Sequence, residues 1–351
     1  MLAPVFLVAC AATAAAPKPA PSRGPRPARL AAFRYPTYPR LSPPALEPQD
    51  SDEVVEFHFL DVGQGDCTLV EFPTGYSILV DCGSNDGGDA QYVNEYLKNE
   101  LEDDQIDALV ITHPDGDHYN LLRQGLSGIQ VDHIYMSGEP SEHGNADVDS
   151  WISAFDVSQR TVLAAEDFDD VDEPNDTIPS DSGEVRVVAA NVPAVNTGSN
   201  FAVNARSIVL LVSYGGFDVM LTGDATFGTE EKIRERFGDS WLDCEVLKVG
   251  HHGSSTTSTH DDWLAAVRPE TAVVSASSTN TYGHPRKSVL ERVADYTVSD
   301  VPHTVIWGWW ANNRGQIGSR HGYRESIYNT ASSGTVVISS NGDWYEVRTD
   351  Q

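Results

Sequence analysis

The chain has 351 residues, 40% of them hydrophobic and 9% aromatic, which suffices for one large core or two smaller ones and excludes a disordered protein. Its net charge of −29 is uneven: residues 1–50 carry six Lys/Arg against two Asp/Glu, leaving 17 basic and 50 acidic groups, or −33, on the remainder. Such a body opposes nucleic acid and anionic membrane, which normally need Lys/Arg to meet phosphate, and it fits a high-salt habitat where ~1 M salt shortens the Debye length to ~3 Å.

The chain starts "MLAPVFLVACAATAAAPKPAPSRGPRPARL", apolar and Ala-rich, then Pro-, Ala- and Arg-rich. Residues 1–50 therefore read as an export segment with a linker, ahead of a single domain over 51–351. "LVAC" resembles a bacterial lipoprotein cleavage box, so a lipid anchor at Cys10 and an extracellular or cell-surface location are expected. No Lys or Arg precedes that box, and without an export signal the location would be cytoplasmic. No run reaches the ~18–20 apolar residues that span a bilayer.

"EVVEFHFLDVGQGDCTLVEF" and "YSILVDCG" read as strands with Gly-rich turns. A turn centred on Thr74-Gly75 would set Cys67 opposite Cys82, as a cross-strand disulfide or as two buried thiols, the latter favoured. "DAQYVNEYLKNEL" has helical spacing, and "IDALVIT" is a buried strand leading into "THPDGDHYNLLR". "VDHIYMSG" and "VRVVAANV" are strand-like; the acidic "EDFDDVDEPNDTIPSDSGE" between them lacks regular calcium-ligand spacing and reads as a solvated insertion. "SIVLLVSYGGFDVMLTGDA" is a hairpin ending at Asp224. Helix "EEKIRERF", strand "EVLKVGHHGS", helix "HDDWLAAVRP", strand "TAVVSAS", loop "STNTYGHP" and helix "KSVLERVAD" follow. The tail is a hairpin turning at Asn341-Gly342, read as type I′. Two β-rich halves with helices outside make an α/β fold.

The polar residues gather at strand ends: His113, Asp115, Asp117 and His118; Asp224; His251 and His252; His284. Alternating ligands on a turn can face one point while Asp117 and His118 face a second, and Asp224 can bridge, since an unpaired carboxylate ending a buried strand is costly. That geometry suits two metal ions ~3.5–4 Å apart, which bring the pKa of a shared water toward neutrality. Taken alone, "HPDGDH" is also compatible with a turn capping a helix, and Asp224 with a cap of "ATFGTEEK". Adjacent residues in an extended segment point oppositely, so only one of His251 and His252 is expected to bind metal. His284 is a candidate general acid, and Lys248 a candidate holder of an anionic oxygen. His58, His133, His143, His260, His303 and His321 carry no spacing signal. Trp307, Trp309 and Trp310 read as packing a strand rather than stacking bases.

"HPDGDH" resembles the H-x-[HD]-x-D-H signature of the metallo-β-lactamase fold, and "LTGD" its later aspartate motif. More narrowly, "FLDVGQGDCTLVEFPTGYSILVDCG", "VITHPDGDHYNLL", "SIVLLVSYGGFDVMLTGDA" and "VLKVGHHGSS…YGHPRKSVL" together resemble the extracellular hydrolase domain of ComEC, the competence DNA-uptake channel, over residues 54 to 350. The resemblance implies a single-domain αββα four-layer sandwich with two divalent metal ions, zinc or manganese, at one edge. It assigns Asp61, Gln64, Asp66 and Asp81 to a loop near that edge, with Asp81 orienting the metal-binding residues by hydrogen bonds. Asp115 stands where many superfamily members have His, which moves preference from zinc toward manganese or magnesium. The usual additional His before Asp224 is absent, and "NARS", Asn204 to Ser207, resembles what ComEC-like chains have there. Ser254 and Tyr282 are further candidates for contact with substrate. Only the hydrolase module is recognised, so DNA import is not expected of this chain.

The implied function is metal-dependent hydrolysis of phosphodiesters by an extracellular nuclease acting on DNA, with a local strip of Lys248, Arg286 and Lys287 offsetting the acidic body. Alternatives are hydrolysis of a small phosphodiester or a lactone on the same fold, or a non-catalytic surface-anchored binding module, against which the retained His and Asp residues argue. β-Lactam hydrolysis is not expected.

Overall fold

Runs such as "ALVI", "VLLV" and "DVML" are apolar at nearly every position, the pattern of strands buried on both faces. The computed structural model describes residues 53–350 apart from 87, 102, 143, 165–176, 195–200, 279, 298–304, 311–315 and 323–325, with 34–36, 305–310 and 316–322 described as backbone alone. In the first half lie β2 (Val55–Phe59), β3 (Thr68–Glu71), β4 (Ser77–Val80), α1 (Ala90–Glu100), β5 (Gln105–Ile111), α2 (Gly116–Tyr119), α3 (Leu122–Gly125), β6 (Gln130–Met136), α4 (Ala146–Ser153) and β7 (Arg160–Val162). In the second lie β8 (Thr177–Ile178), β9 (Glu184–Ala189), β10 (Val209–Tyr214), β11 (Phe217–Leu221), α5 (Phe227–Phe237), β12 (Val246–Lys248), α6 (Asp261–Val267), β13 (Thr271–Val274) and α7 (Lys287–Ala294). A hairpin of β14 (Val305–Trp310) and β15 (Gln316–Gly322), then β16 (Ile327–Asn329), α8 (Thr330–Ser333), β17 (Val336–Ser340) and β18 (Trp344–Thr349) complete the chain.

Among the described residues there are two large sheets. One has the order β1-β18-β17-β2-β3-β4-β5-β6-β7, where β1 is Arg34–Pro36, and the other β16-β13-β12-β11-β10-β9-β8. Alternation along the strands assigns each side chain to a layer. Ala108 and Val110 of β5 meet Leu210 and Val212 of β10 and Phe217 and Val219 of β11 between the sheets. Leu109 and Ile111 face Val93 and Leu97 of α1 and Leu122 of α3. Leu211 and Met220 face Ile233 of α5, Leu264 of α6 and Leu290 of α7. The result is the expected αββα order, with three apolar interfaces between four layers.

Strands β4, β5 and β6 run parallel, as do β11, β12 and β13. Their carboxyl ends therefore open at one edge of each sheet, where α/β folds place ligands. Packing the sheets face to face brings the loops after β4, β5, β11, β12 and β13 together.

Three local expectations differ. The hairpin β3–β4 pairs Thr68 with Val80 and Glu71 with Ser77, and Phe72 N donates to Tyr76 O, so three residues turn the chain with Gly75 at φ 88°. That register is one residue off the pairing of Cys67 with Cys82, and both are buried free thiols, as is Cys244. Burial and a hydrogen bond from Cys82 push the Cys67 thiol well above its ordinary range. The last hairpin is not a two-residue type I′ turn: Ser340 pairs with Tyr345, only Gly342 takes positive φ, and the Asn341 side chain accepts from Asp343 N and Trp344 N. Within the segment read as linker, β1 pairs with β18. Cys10, the acidic stretch 165–176, His143, His303 and the side chains of His321, Trp307, Trp309 and Trp310 lie outside the described residues. No helix among the described residues is long and apolar enough to cross a membrane.

Phe217 sits between the sheets with ring centroids 6.0 Å from Phe57 and 5.2 Å from Tyr345. Phe217→Ala should cost about 3–5 kcal/mol, read from denaturant unfolding. In a thiol titration, Cys67, Cys82 and Cys244 should all react in the denatured, unreduced chain and none in the native one.

Candidate metal centre

Three buried imidazoles and one half-buried, His251, meet one buried carboxylate at the shared edge. Asp224, 2% exposed, follows β11; His113 and His118 come from the loop after β5 and from α2, and His251 and His252 from the turn after β12. The Asp224 Oδ2 atom is 3.9 Å from His113 Nε2 and 3.5 Å from His251 Nε2. Its Oδ1 atom is 3.3 Å from His118 Nε2 and 3.7 Å from His252 Nε2. Asp115 Oδ2 stands 3.6 Å from His113 Nε2, and Asp117 Oδ2 3.5 Å from His252 Nε2. Two half-shells thus share Asp224: His113, Asp115 and His251 on one oxygen, Asp117, His118 and His252 on the other.

The opposite nitrogen of every ring is held. His118 Nδ1 lies 2.7 Å from Asp81 Oδ2, and His252 Nδ1 lies 2.9 Å from Ser275 O. His251 Nδ1 is 2.7 Å from Thr257 Oγ1, and His113 Nδ1 is 3.0 Å from Thr112 Oγ1 and 3.4 Å from Ser207 Oγ. Because Asp81 and a backbone carbonyl only accept, they fix Nδ1–H in His118 and His252 and turn the Nε2 lone pairs inward. The inward atoms His113 Nε2, His118 Nε2, His252 Nε2 and Asp224 Oδ1 are buried without hydrogen-bond partners. Orphaned polar atoms converging this way fit a metal ion, since a buried group left unpaired is otherwise costly.

Local backbone explains the convergence. His251 and His252 both take left-handed conformations, φ 49° and 51°, so the segment is not extended and both rings face Asp224. The expectation that only one does fails for that reason. Asp81 is also left-handed, at φ 58°, and accepts from Thr112 N and Thr112 Oγ1, each at 2.7 Å, besides facing His118. A Cβ at Gly83 would lie 2.4 Å from Asp117 C and 2.5 Å from His118 N, so only glycine lets the β4 loop seat the signature turn. Asp115 occupies the first position before α2 but makes no capping bond, and α5 begins after Thr226, not Asp224. Neither carboxylate is spent as a helix cap.

Burial raises the Asp224 carboxyl, but His251, His252 and His118 outweigh it and hold the group well below the usual carboxylate range. Burial also raises Asp117, and His252 and His118 bring it down to about 2. Burial, with His251 and His252 adding to it, pushes His284 down to about 3. His284 lines the cavity with Nδ1 buried and unpartnered, and the downward shift opposes the protonated form that a general acid needs.

Lys248 is likewise not available to substrate. It is 3% exposed and paired with Asp66, itself 3% exposed, beneath the imidazoles. Asp66, His118, Asp224 and His252 form a group of four donors within 4.8 Å of one another, but Asp66 faces the Nδ1 sides of His118 and His252, at 3.8 Å from each, and is taken by Lys248. Asp61 stays outside the site, accepting from its own loop at Gly63 N. Arg286 donates to Tyr282 O and Lys287 pairs with Glu291, so the expected basic strip does not form.

The cavity above the centre holds about 450 Å³ and is lined by Gln64, Asn204, Ser254, Tyr282 and His284, as well as the metal-facing residues. Asn204 Nδ2 donates to Asp224 Oδ2 at 3.2 Å, and Ser207 Oγ accepts from Asp224 N at 3.1 Å. Asn85 and Phe201 also line it; Phe201 has no signal in the sequence, whereas Asn85 lies just beyond "DCG". Thr112, Thr257 and Ser275 were also missed; of these only Thr112, adjacent to the signature, was findable.

Residues 60–278 match the metallo-beta-lactamase superfamily, more than half of the chain, and the chain belongs to that superfamily. Within it, the chain is similar to ComE operon protein 3 of Bacillus subtilis (strain 168), 26% identical over 267 residues, covering 69% of this chain and 31% of that protein. It is 28% identical over 290 residues to Recombination protein 2 of Haemophilus influenzae, covering 82% and 29%, and 42% identical over 90 residues to Competence protein ComA of Neisseria gonorrhoeae, covering 26% and 13%. The likeness to competence proteins read from the motifs is thus borne out, and the chain spans less than a third of the length of each relative.

Asp81→Asn tolerates the left-handed backbone but no longer accepts strongly from His118; metal affinity should fall ~10- to 100-fold in chelator competition. Lys248→Met should cost about 3–5 kcal/mol in unfolding experiments by stranding Asp66 in the interior; lost activity with unchanged stability would contradict the ion-pair role.

Proposed function

We propose that this chain is a metal-dependent phosphodiesterase that cleaves DNA outside the cell. The observation that carries the reading is the pair of half-shells sharing Asp224. His113, Asp115, His251 and Asp224 would hold one divalent ion, and Asp117, His118, His252 and Asp224 the other; three carboxylates among the seven donors favour manganese or zinc over softer metals. Such a pair supplies a water activated near neutral pH and positive charge for the transferring phosphoryl group.

The chain's own residues position the substrate. Gln64 accepts from Ser277 N through Oε1 and leaves its buried Nε2 without a partner in the cavity wall, a donor for a phosphate oxygen. The Tyr282 hydroxyl accepts from Asn85 Nδ2 at 3.2 Å, and burial raises its pKa, so its proton is available to a second oxygen. His284 adds a neutral hydrogen-bonding edge. Among the described residues no Lys or Arg lines the cavity; charge recognition then falls to the ions, consistent with a body of −33. DNA as substrate, and action at the cell surface, rest on the likeness to competence proteins and on the character of residues 1–30.

A cavity of about 450 Å³ with no Lys or Arg among its described lining residues also favours a second reading, a small phosphodiester as substrate. The test offers full-length protein with Mn²⁺ or Zn²⁺ single-stranded DNA, plasmid DNA and bis(p-nitrophenyl) phosphate, at low and ~1 M salt, the latter for near-complete screening. DNA cleavage that Asp224→Ala reduces by more than the ~100-fold cost of an outer-sphere loss is expected. Turnover of the small diester without DNA cleavage would select the second reading, and a metal-loaded protein inert toward all three would sink both.

A further inference from the structure

We propose that the chain binds an additional divalent cation, of the zinc or manganese class, at His58, Glu71 and Glu100, separate from the centre around Asp224. His58 is on β2, Glu71 ends β3 and Glu100 ends α1. One donor atom from each lies within 4.8 Å of the others. Asp66, just before β3, belongs to the first centre; Glu71 is five residues further along, about 17 Å of extended chain.

The register of β2 and β3 pairs Glu56 directly with Glu71, and like charges in that position repel. Glu56 is compensated by Arg348 and Ser339. Among the described residues, Glu71 and Glu100 have no Lys or Arg partner, and Glu71 instead faces His58. His58 is only 1% exposed, on the face of β2 that Glu56 shares. Its Nδ1 is 2.8 Å from the Tyr96 hydroxyl. Its Nε2 lies 3.2 Å from Glu71 Oε2 and 3.9 Å from Glu56 Oε2, yet it is buried without a hydrogen bond.

An imidazole anchored through one nitrogen, with the other buried and turned to Glu71, is the arrangement of a metal-binding histidine. One nitrogen and two carboxylate oxygens suit zinc and manganese and would neutralise the two glutamates. Glu71 is already in place; Glu100, at the exposed helix end, closes the shell from solvent. A cation there ties the last turn of α1 to the β2–β3 hairpin. The competing arrangement is a direct contact of His58 with Glu71 and no metal.

Metal stoichiometry decides between them. Full-length protein stripped with chelator is titrated with Zn²⁺, and separately with Mn²⁺, in ~1 M salt so that loosely held counterions on the acidic surface are screened. The double variant Glu71→Gln/Glu100→Gln should bind one equivalent fewer than wild type, hydrolyse the same substrates at an unchanged rate, and gain less thermal stability on adding the metal. Glu100→Gln alone, a change at the helix surface, should weaken the same equivalent. Tyr96→Phe keeps all three ligands but frees Nδ1, and should weaken it ~10- to 100-fold. Equal stoichiometry in wild type and the double variant, with both folded by circular dichroism, would overturn the proposal and leave His58 as an ion-pair partner.

Discussion

A carboxylate with almost no access to water needs compensating charge, and Asp224 obtains it from His251, His252 and His118, delivered by both sheets, with His113 beside them. Much of the surrounding architecture follows from holding those rings at one point. Asp81 accepts strain in its backbone to grip His118 and the Thr112 hydroxyl, which in turn meets His113. Gly83 removes a side chain so that the β4 loop can lie against the signature turn. His251 and His252 both adopt left-handed conformations that non-glycine residues rarely take. Strain concentrated at this edge, on a scaffold whose three apolar interfaces are regular, is the distribution expected where geometry is selected over local stability.

The layer order was legible because period-two alternation and continuous apolar runs report burial directly, as in β5 and β10. The metal-facing residues were legible because six of the seven sit in two short motifs at strand ends, with Asp224 closing a third. What was not legible depended on conformations that residue types do not announce. The doublet His251-His252 was taken as extended, and nothing in its composition reveals two consecutive positive φ angles. The Cys67 register failed by one residue because a three-residue turn with Gly75 replaced a two-residue one. Lys248 was misread since a lysine at a strand end is usually a surface group; its partner, Asp66, is 182 residues away in sequence. His58 carried no spacing signal for the same reason: its neighbours come from another strand and a helix.

For so acidic a protein, recognition of the anionic substrate proposed above would be a matter of local field. The cavity wall contributes amides, a phenol and neutral imidazole, groups that donate hydrogen bonds without adding net charge. A site that drew its positive charge from exchangeable ions would differ from one lined with lysines, because its attraction for an anion would depend on metal supply as much as on sequence. The buried Asp66–Lys248 pair keeps the single lysine of this region out of that role and couples the loop before β3 to the end of β12.

That coupling has a further consequence. His113, Asp115, Asp117 and His118 all precede residue 165, and Asp224, His251 and His252 all follow residue 176. Neither segment of the polypeptide carries a full ligand set, and the second also completes the first sheet through β17 and β18. Cut between β7 and β8, the two pieces would be complementary fragments whose reassembly creates the metal site anew. Ion binding would then be linked to the docking of one fragment on the other, and metal supply would act on assembly as well as on chemistry.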